Sequence, residues 1–281
     1  MTLQSVLFHL SDADTAAELL TSTLRNGAVC KAHITGVVVL PPPIVIPAGM
    51  PGHPDVIVLD GRRREMQQAA ERIRPNFDAA LVDGACSGAF SVVDADAGSV
   101  TQTLIDLARS ADLVVLRQSG LSWSSLDDVE APDSIVLDCG RPVLIMPRLH
   151  RTPTLGRRAL VAWNGSRESA RAVFDAIPLL MGADAVKILW ACPNDAPYMA
   201  SGMTIERLRE ALQRHGINCN VDCARVPRDQ TGPALLAAAA AFEADLIVMG
   251  CYGRSRLNEF VLGGATRHVL ENMQVPVLMS H

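Results

Sequence analysis

Lysine is almost absent from this sequence of 281 residues: Lys31 and Lys187 are the only lysines among 25 basic side chains, and arginine supplies the rest. Neither lysine follows a glycine-rich segment. This excludes a phosphate-binding loop of the type in which a lysine and a serine or threonine come directly after the last glycine. A phosphate group bound by this chain must therefore be held by backbone amides, hydroxyl groups or arginine.

Aromatic residues and net positive charge are also scarce. The chain has three tryptophans, two tyrosines and six phenylalanines, and its net charge is −5. A nucleic-acid partner needs a basic surface that neutralises phosphates, and aromatic side chains on which bases can stack. The composition therefore argues against nucleic-acid binding.

Targeting and membrane-spanning patterns are missing as well. The first residues have neither the basic region nor the apolar run of a signal peptide, and no stretch approaches the ~18 uninterrupted apolar residues of a transmembrane helix. The seven cysteines are an odd number and lie in apolar surroundings, as expected of reduced thiols. Cys219 and Cys223 share one face of a predicted strand, but no further ligand pair completes a zinc site. We expect a cytoplasmic protein without a membrane partner, a disulfide framework or a protein metal site.

What the chain does contain is a repeat. Hydrophobic residues make up 49% of it and charged residues 20%, which is typical of folded proteins. The apolar segment 111–115 returns at 244–248, and the proline-containing apolar segment 141–146 returns at 275–279. The length, about twice the ~100–150-residue mode for a domain, agrees with two similar units.

We predict two copies of one fold, at residues 1–150 and 151–281. The first copy carries extra residues, which we place in the segment 41–54. That segment is too rich in proline and glycine to be regular along its whole length.

Strands and helices alternate along the second half. Short apolar runs predict strands and helical spacing predicts helices, with strands at 158–163, 186–191, 218–226 and 246–249 and helices at 168–180, 204–215 and 232–243. Ser166 and Thr204 are the expected N-caps of the first two helices, and Gly216 ends the second helix. We predict an α/β fold with a parallel sheet covered by helices on both faces. A ligand of such a sheet binds beyond the carboxyl ends of the strands, where the strand order reverses.

A glycine pattern follows the fourth of these strands. Gly250 and Gly253 come directly after it, nine residues follow, and Gly263 and Gly264 open a helix that continues through Thr266. Such a helix start offers unpaired backbone amides and the positive end of the helix dipole to an anion, and Thr266 adds a hydroxyl group. The spacing alone agrees equally well with glycines that only turn the chain and pack closely.

The glycine spacing, the buried strand before it and the apolar strand after it together resemble the universal stress protein family. The Gly-x2-Gly-x9-Gly pattern of that family is matched by Gly250, Gly253 and Gly263. The resemblance is strong over 157–281 and weak over 1–148. The whole chain is similar to a tandem universal stress protein, which implies two doubly wound parallel-sheet domains of the adenine nucleotide alpha hydrolase-like type.

The resemblance also implies a site. In the nucleotide-binding branch of the family, the glycine pattern holds the ribose and phosphates of ATP, and the ends of the first two strands form the adenine pocket. A divalent cation such as Mg2+ would bridge the phosphates without a cage of protein carboxylates. The implied positions are Ala162, Trp163, Asn164 and Ala191 near adenine, Met249 and Gly250 near ribose, and Gly253, Gly263, Gly264, Ala265 and Thr266 near the phosphates. No residue is assigned a catalytic role.

Three positions depart from the family pattern. Gly264 stands where the family has serine or threonine, so a hydroxyl group is lost while the backbone amide remains. Asn164 replaces the common aspartate, which keeps a carbonyl acceptor and removes the charge. Trp163 is bulkier than expected, and it either stacks on adenine or fills the pocket.

The first half departs further from the family. Its strand at 113–116 is followed by Arg117-Gln118-Ser119-Gly120, without a second glycine three residues on and without a glycine pair before the last helix. We expect no phosphate cradle there. The final strands, 143–146 and 277–279, resemble the edges by which family dimers pair. We expect them to pair within the chain as a pseudo-dimer, because an exposed apolar edge would invite aggregation. Whether two chains also form a homodimer stays open.

The leading hypothesis is a stress-response or regulatory protein that binds one ATP in its second half. The alternative is a nucleotide-free scaffold or interaction module of the same fold. Slow ATP hydrolysis is a third hypothesis, although no positioned base or carboxylate metal ligand stands out in the sequence. Arg254, Arg256 and His268 are candidates for phosphate contacts, with surface or packing roles as the alternative for each.

Overall fold

The alternation of apolar runs and helical segments produces a layered α/β structure. The computed structural model describes residues 2–47, 56–95, 99–118, 132–148, 154–193, 198–251 and 264–281. No helix in this described part is long and apolar enough to cross a membrane.

The first half contains seven strands and five helices among its described residues. The strands are β1 (Ser5–His9), β2 (His33–Leu40), β3 (Ile44–Pro47), β4 (Val56–Leu59), β5 (Ser87–Asp94), β6 (Leu113–Arg117) and β7 (Val143–Met146). The helices are α1 (Ala13–Leu24), α2 (Gly27–Cys30), α3 (Gly61–Gly84), α4 (Val100–Ala108) and α5 (Pro132–Asp138).

The second half contains five strands and four helices among its described residues. The strands are β8 (Arg158–Trp163), β9 (Ala185–Pro193), β10 (Cys219–Val226), β11 (Leu246–Gly250) and β12 (Val277–Ser280). The helices are α6 (Arg167–Leu180), α7 (Tyr198–Arg214), α8 (Thr231–Ala241) and α9 (Gly264–Asn272).

Ten strands form one continuous sheet in the order β10-β9-β8-β11-β12-β7-β6-β1-β2-β5. In this ten-stranded sheet, neighbouring strands that belong to the same half are all parallel. Both halves have the same order, with the first strand in the centre, two strands on one side of it and two on the other. The predicted α/β fold with two copies of a doubly wound parallel sheet is confirmed.

The two halves join through an antiparallel pair of strands. Strand β12 pairs with β7, so that Leu278 lies opposite Leu144 and Val277 opposite Ile145. All four side chains are buried. The predicted pairing of the two final strands within one chain is confirmed, and it turns two five-stranded sheets into a single sheet.

Helices cover both faces of this sheet because its strands are apolar on both sides. Helices α1, α3, α6 and α7 contribute to one core layer. Helices α4, α5, α8 and α9 contribute to the other. Alternate residues of β8 enter the two layers, Val161 the first and Leu160 the second.

An aspartate in the repeated segment explains part of the internal repeat. In the first half a carboxylate oxygen of Asp112 accepts hydrogen bonds from the backbone amides of Gln4 and Ser5, at 2.8 and 3.1 Å. In the second half Asp245 accepts them from the amides of Arg157 and Arg158, at 3.1 and 2.9 Å. Each aspartate therefore holds the beginning of its own central strand beside the fourth strand.

The element boundaries differ from the prediction in the second half. Ser166 is the N-cap of α6, as predicted, and its hydroxyl accepts from the amide of Ser169 at 3.2 Å. Gly216 has a φ of +78° just beyond the end of α7, which agrees with its predicted role as a helix stop. The prediction of Thr204 as an N-cap is wrong, because α7 begins at Tyr198 and Thr204 lies inside the helix.

The predicted insertion at 41–54 contains β3, which pairs antiparallel with β4 just beyond it, with Ile44 opposite Leu59. The prediction for this segment was only that it is not regular along its whole length. Residues 48–55 between the two strands lie outside the described residues. The same holds for 149–153, so the domain boundary at 150 stays a prediction.

Candidate functional site

The strand order reverses between β8 and β11, the two central strands of the second half. Val248 of β11 lies opposite Val161 of β8, so the strands end at the same level, at Gly250 and Trp163. The helix after β8 packs into one core layer and the helix after β11 into the other. A crevice opens between two such diverging connections, and this is where ligands of doubly wound sheets bind.

Gly250 is the last residue of β11 and packs against the first turn of α6. A Cβ atom at this position would lie 2.5 Å from the carbonyl carbon of Glu168 and 2.5 Å from the amide nitrogen of Ser169. The first turn of α6 therefore contacts the end of β11 directly, and only glycine allows that approach. The packing explains why a glycine is needed at this position even without a ligand. The predicted contact of Gly250 with a ribose stays a prediction.

Glu168 is a functional candidate that the sequence analysis missed. Its side chain is only 5% exposed, and its Oε1 accepts from Arg167 Nε at 2.7 Å. Its Oε2 is buried and has no hydrogen-bond partner among the described residues. The available signal was an acidic residue in the first turn of a helix with a serine N-cap, which sequence reasoning interprets as neutralisation of the helix dipole.

The carboxyl group of Glu168 is held in its charged form. Burial alone raises its pKa, but hydrogen bonds from the Arg167 side chain, from its own backbone amide and from the Ser166 hydroxyl outweigh burial. Together with the charge of Arg167 they lower the pKa below its ordinary value of 4.5. Glu168 is therefore a buried, ionised carboxylate next to the end of β11, and its Oε2 has no hydrogen-bond partner among the described residues.

Asn164 is exposed at the end of β8. Its Oδ1 accepts from the backbone amide of Ser166 at 3.0 Å, which turns the chain into α6. A carbonyl oxygen has two acceptor positions, so one remains for a ligand. The predicted contact between Asn164 and adenine stays a prediction.

Trp163 and Ala162 lie on opposite faces of the sheet. Trp163 is 7% exposed and packs in the core layer of α6 and α7, beside Trp190 of the neighbouring strand. Ala162 packs in the other layer, which also contains Met249. Of the two roles left open for Trp163, its burial favours filling the space beneath the crevice over stacking on a ligand.

Helix α9 leads back to the beginning of β12, so its first residue lies toward the same edge of the sheet as Gly250. Gly264, its first residue, is exposed, and a Cβ atom there would have no atom within 4 Å. Ala265 is half-buried and Thr266 is 4% exposed, so the Thr266 hydroxyl is covered. Gly253 and Gly263 lie outside the described residues, as do Arg254 and Arg256. Of Ala191 only the backbone, in β9, is described.

His268 has a packing role in the same helix. A Cβ atom on Gly232 of α8 would lie 2.8 Å from the Cβ of His268, so these two helices touch at this point. This favours the packing alternative for His268. In the described part of the chain no group of three or more histidine, cysteine, aspartate or glutamate residues could hold a metal ion.

A separate cavity of about 740 Å3 lies at the opposite ends of the strands. It is lined by residues just before β1 and β8 and just after α1 and α6, among them Arg25, Lys31 and Arg157. Arg157 pairs there with Asp184 at 3.2 Å. Because it adjoins the amino ends of the central strands, this cavity is distinct from the crevice at Gly250.

Comparison with known proteins agrees with this architecture. The universal stress protein family profile matches residues 156–281. A universal stress protein from Archaeoglobus fulgidus DSM 4304 has a similar structure, with a TM-score of 0.71 and 18% identity over 98% of this chain and 96% of that chain. No curated protein matches.

Two further solved structures share the fold. A functionally unknown protein from Pseudomonas aeruginosa PAO1 has a TM-score of 0.59 and 18% identity over 99% of this chain and 92% of that chain. The cytoplasmic domain of a prokaryotic cation chloride cotransporter has a TM-score of 0.56 and 12% identity over 98% of this chain and 94% of that chain. The universal stress protein family profile thus covers the second half of the chain, and the first half has the same fold.

Proposed function

We propose that this protein is a cytoplasmic stress-response protein that binds ATP in the crevice between the ends of β8 and β11. The observation that carries the proposal is the start of α9, which lies toward the carboxyl ends of the strands because α9 leads back to the beginning of β12. Gly264 is exposed there with open space around it. A phosphate group can therefore approach the unpaired amides of the first turn, where the helix dipole favours negative charge.

The scarcity of lysine supports binding by backbone amides. Lys187 lies on β9 and pairs with Asp222 at 2.7 Å, and Lys31 lies at the opposite cavity. Neither is available to neutralise phosphates in the crevice. We infer that the amides of 264–266 and of the glycine motif hold the phosphates, together with a bridging Mg2+ ion.

Glu168 defines the ribose side of the site in this proposal. An ionised carboxylate repels phosphates, so Glu168 is placed away from them. Its buried Oε2 lacks a partner among the described residues and can accept a hydrogen bond from a sugar hydroxyl that enters beside Gly250. Gly250, which the resemblance assigns to the ribose, lies directly against Glu168. The proposed contacts of both residues therefore place the ribose at the same position.

A nucleotide-free module of the same fold is the second candidate. The observation that favours it is the burial of Trp163, which occupies volume beneath the predicted adenine position. The two candidates differ in a simple measurement, because a nucleotide-binding protein purified without nucleotide removal should release adenine nucleotide on denaturation.

Calorimetric titration with ATP and Mg2+ tests the proposal. A Gly264→Val variant should lose at least about tenfold in affinity, because the branched side chain fills the space that a phosphate needs. Gly27→Val is the matched control, since Gly27 also begins a helix and also has open space around it. We expect this control to bind ATP like the wild type.

Two results would contradict the proposal. The first is wild-type protein that neither binds ATP nor releases adenine nucleotide, which would support the nucleotide-free module. The second is ATP binding that is unchanged in both Gly264→Val and a Gly253→Val plus Gly263→Val variant. Phosphate release that disappears in these variants would add slow hydrolysis to the proposed function.

A further inference from the structure

Two cysteines that are far apart in the sequence lie side by side in the first half. The Sγ atoms of Cys30 and Cys86 are 2.8 Å apart. Cys30 is the last residue of α2, and Cys86 directly precedes β5. The carbonyl oxygen of Gly84 accepts from both thiols, at 2.8 Å from Cys30 and 3.3 Å from Cys86.

The end of α3 creates this arrangement. Ala85 has a left-handed backbone with a φ of 51°, and the amide of Cys86 donates to the carbonyl of Leu81 at 2.9 Å. This turn folds Cys86 back against the last turn of the helix. A Cβ atom on Gly84 would lie 2.8 Å from the sulfur of Cys86, so a glycine is needed to leave room for that sulfur.

The surroundings of Cys86 hold its thiol in the protonated form. Burial, together with the hydrogen bond and the charge of the neighbouring Cys30, raises the pKa of Cys86 to about 12. Neither cysteine is fully buried, so small molecules can reach the pair. No third ligand completes a metal site among the described residues.

We propose that Cys30 and Cys86 are a redox modification site, which closes to a reversible disulfide when the protein meets a hydroperoxide. The sulfur of Cys30 attacks the peroxide as a thiolate, because Cys86 is held as a thiol. It becomes a sulfenic acid, and the departing oxygen takes up the proton lost from Cys30, so that the first product is water when the oxidant is hydrogen peroxide. The second sulfur then displaces the hydroxyl group, which leaves as water with the remaining thiol proton. Two electrons pass from the sulfurs to the peroxide, and a dithiol reductant reverses the step.

The bond would act on the contact between the two halves. Asn26 caps α2 by accepting from the amide of Ala28 at 3.0 Å, and its Nδ2 donates to the carbonyl of Leu155 in the second half, also at 3.0 Å. A disulfide at Cys30 would tie this short helix to the end of α3. The segment through which the first half contacts the second would therefore become more rigid.

Other cysteines provide internal controls. Cys219 and Cys223 lie four residues apart on β10, where the backbone separates them by about 13 Å. This is too far for a disulfide. Cys139 and Cys251 are buried. Peroxide should therefore join Cys30 to Cys86 before it joins any of these four cysteines to another.

Peptide mapping of the full chain tests the proposal. Reduced protein is exposed to hydrogen peroxide, alkylated with N-ethylmaleimide and digested with trypsin. Cys30 is the only cysteine in the tryptic peptide 26–31, and Cys86 is the only cysteine in the peptide 73–109. The second peptide begins at 73 because trypsin does not cut between Arg74 and Pro75. We expect these two peptides to be cross-linked, two alkylation sites to be lost, and dithiothreitol to restore both.

Variants and melting curves complete the test. Cys86→Ser keeps a donor for the Gly84 carbonyl and should abolish the cross-link, while Cys223→Ser should retain it. Cys30→Ala serves as a second variant should Cys86→Ser fail to fold. The oxidised wild type should melt at a higher temperature than the reduced form. Oxidation of either cysteine to a sulfinic acid without a cross-link, or a cross-link that forms first between other cysteines, would overturn the proposal.

Discussion

Asp112 and Asp245 illustrate how single residues maintain the repeat. Each is an acceptor for two backbone amides at the start of a central strand, and Asp245 is only 4% exposed. Hydrogen bonds to a charged acceptor are stronger than neutral ones, and an unpaired buried amide is unfavourable. The repeated aspartate therefore has a structural role, which the sequence repeat alone did not reveal.

Removing the carboxylate of Asp245 should destabilise the protein. We expect Asp245→Ala to lower the free energy of unfolding by about 2–3 kcal/mol, because the amides of Arg157 and Arg158 lose their partner. Asp184→Ala is the control: Asp184 is exposed and forms only a surface ion pair with Arg157, so the loss should stay below about 1 kcal/mol. Urea unfolding measures both, and equal losses would contradict the assigned role.

The Glu168 carboxylate should make stability depend on pH. Its pKa is lower in the folded protein than its ordinary value of 4.5, so its ionised form stabilises the fold above that pH. This stabilisation is lost as the pH falls below 4.5 toward the folded pKa. We expect the urea midpoint of the wild type to fall more steeply below pH 5 than that of Glu168→Gln. Parallel curves for the two proteins would show that Glu168 is not stabilised in its charged form.

Among the helices, a start could be predicted from the local sequence only where a capping residue marks it. The start of α6 was predicted correctly because the Ser166 hydroxyl satisfies an amide of the first turn. The start of α7 was not, because the helix begins at Tyr198 and continues through Gly202 despite the low helix propensity of glycine. The helix therefore includes a glycine that local propensity disfavours, which the sequence pattern alone does not predict.

These two helices provide a matched pair of substitutions. Ser166→Ala should lower the free energy of unfolding by about 1 kcal/mol, because an amide at the start of α6 loses its cap. Thr204→Ala should change it by less than about 0.5 kcal/mol, because the helix interior contains no cap at this position and alanine favours helix. Chemical denaturation of both variants is the measurement. A larger loss for Thr204→Ala would restore the original N-cap prediction.

At the scale of the whole molecule, the junction of β7 and β12 makes the two halves one structure. The pairing covers an apolar strand edge in each half, and such edges otherwise recruit other chains. Because both halves share one sheet and both core layers, we expect them to unfold in a single transition.

A charge at the junction tests this expectation. Leu144 and Leu278 face each other and are fully buried. Leu144→Asp should lower the free energy of unfolding by more than about 3 kcal/mol, because the carboxylate has no partner in this apolar layer. Leu144→Met keeps the volume and should lose less than about 1.5 kcal/mol. Wild-type stability of Leu144→Asp in urea would mean that the two strands do not pair.

Properties that depend on neighbours along the chain could be predicted without the structure. Apolar periodicity predicted the alternation of strands and helices, the repeat predicted two copies of one fold, and the glycine spacing after β11 indicated the family. Gly264 could be proposed for an anion site because a helix start has unpaired amides wherever it occurs.

Only the tertiary structure decided the properties that depend on contacts between distant segments. It buried Trp163, placed Glu168 against Gly250, and brought Cys30 to Cys86. It also joined two sheets into one through β7 and β12. Burial, the pKa of a side chain and the distance between two sulfur atoms all depend on side chains of other elements. Folding of the whole sheet brings those elements together, so the sequence pattern of one segment does not contain this information.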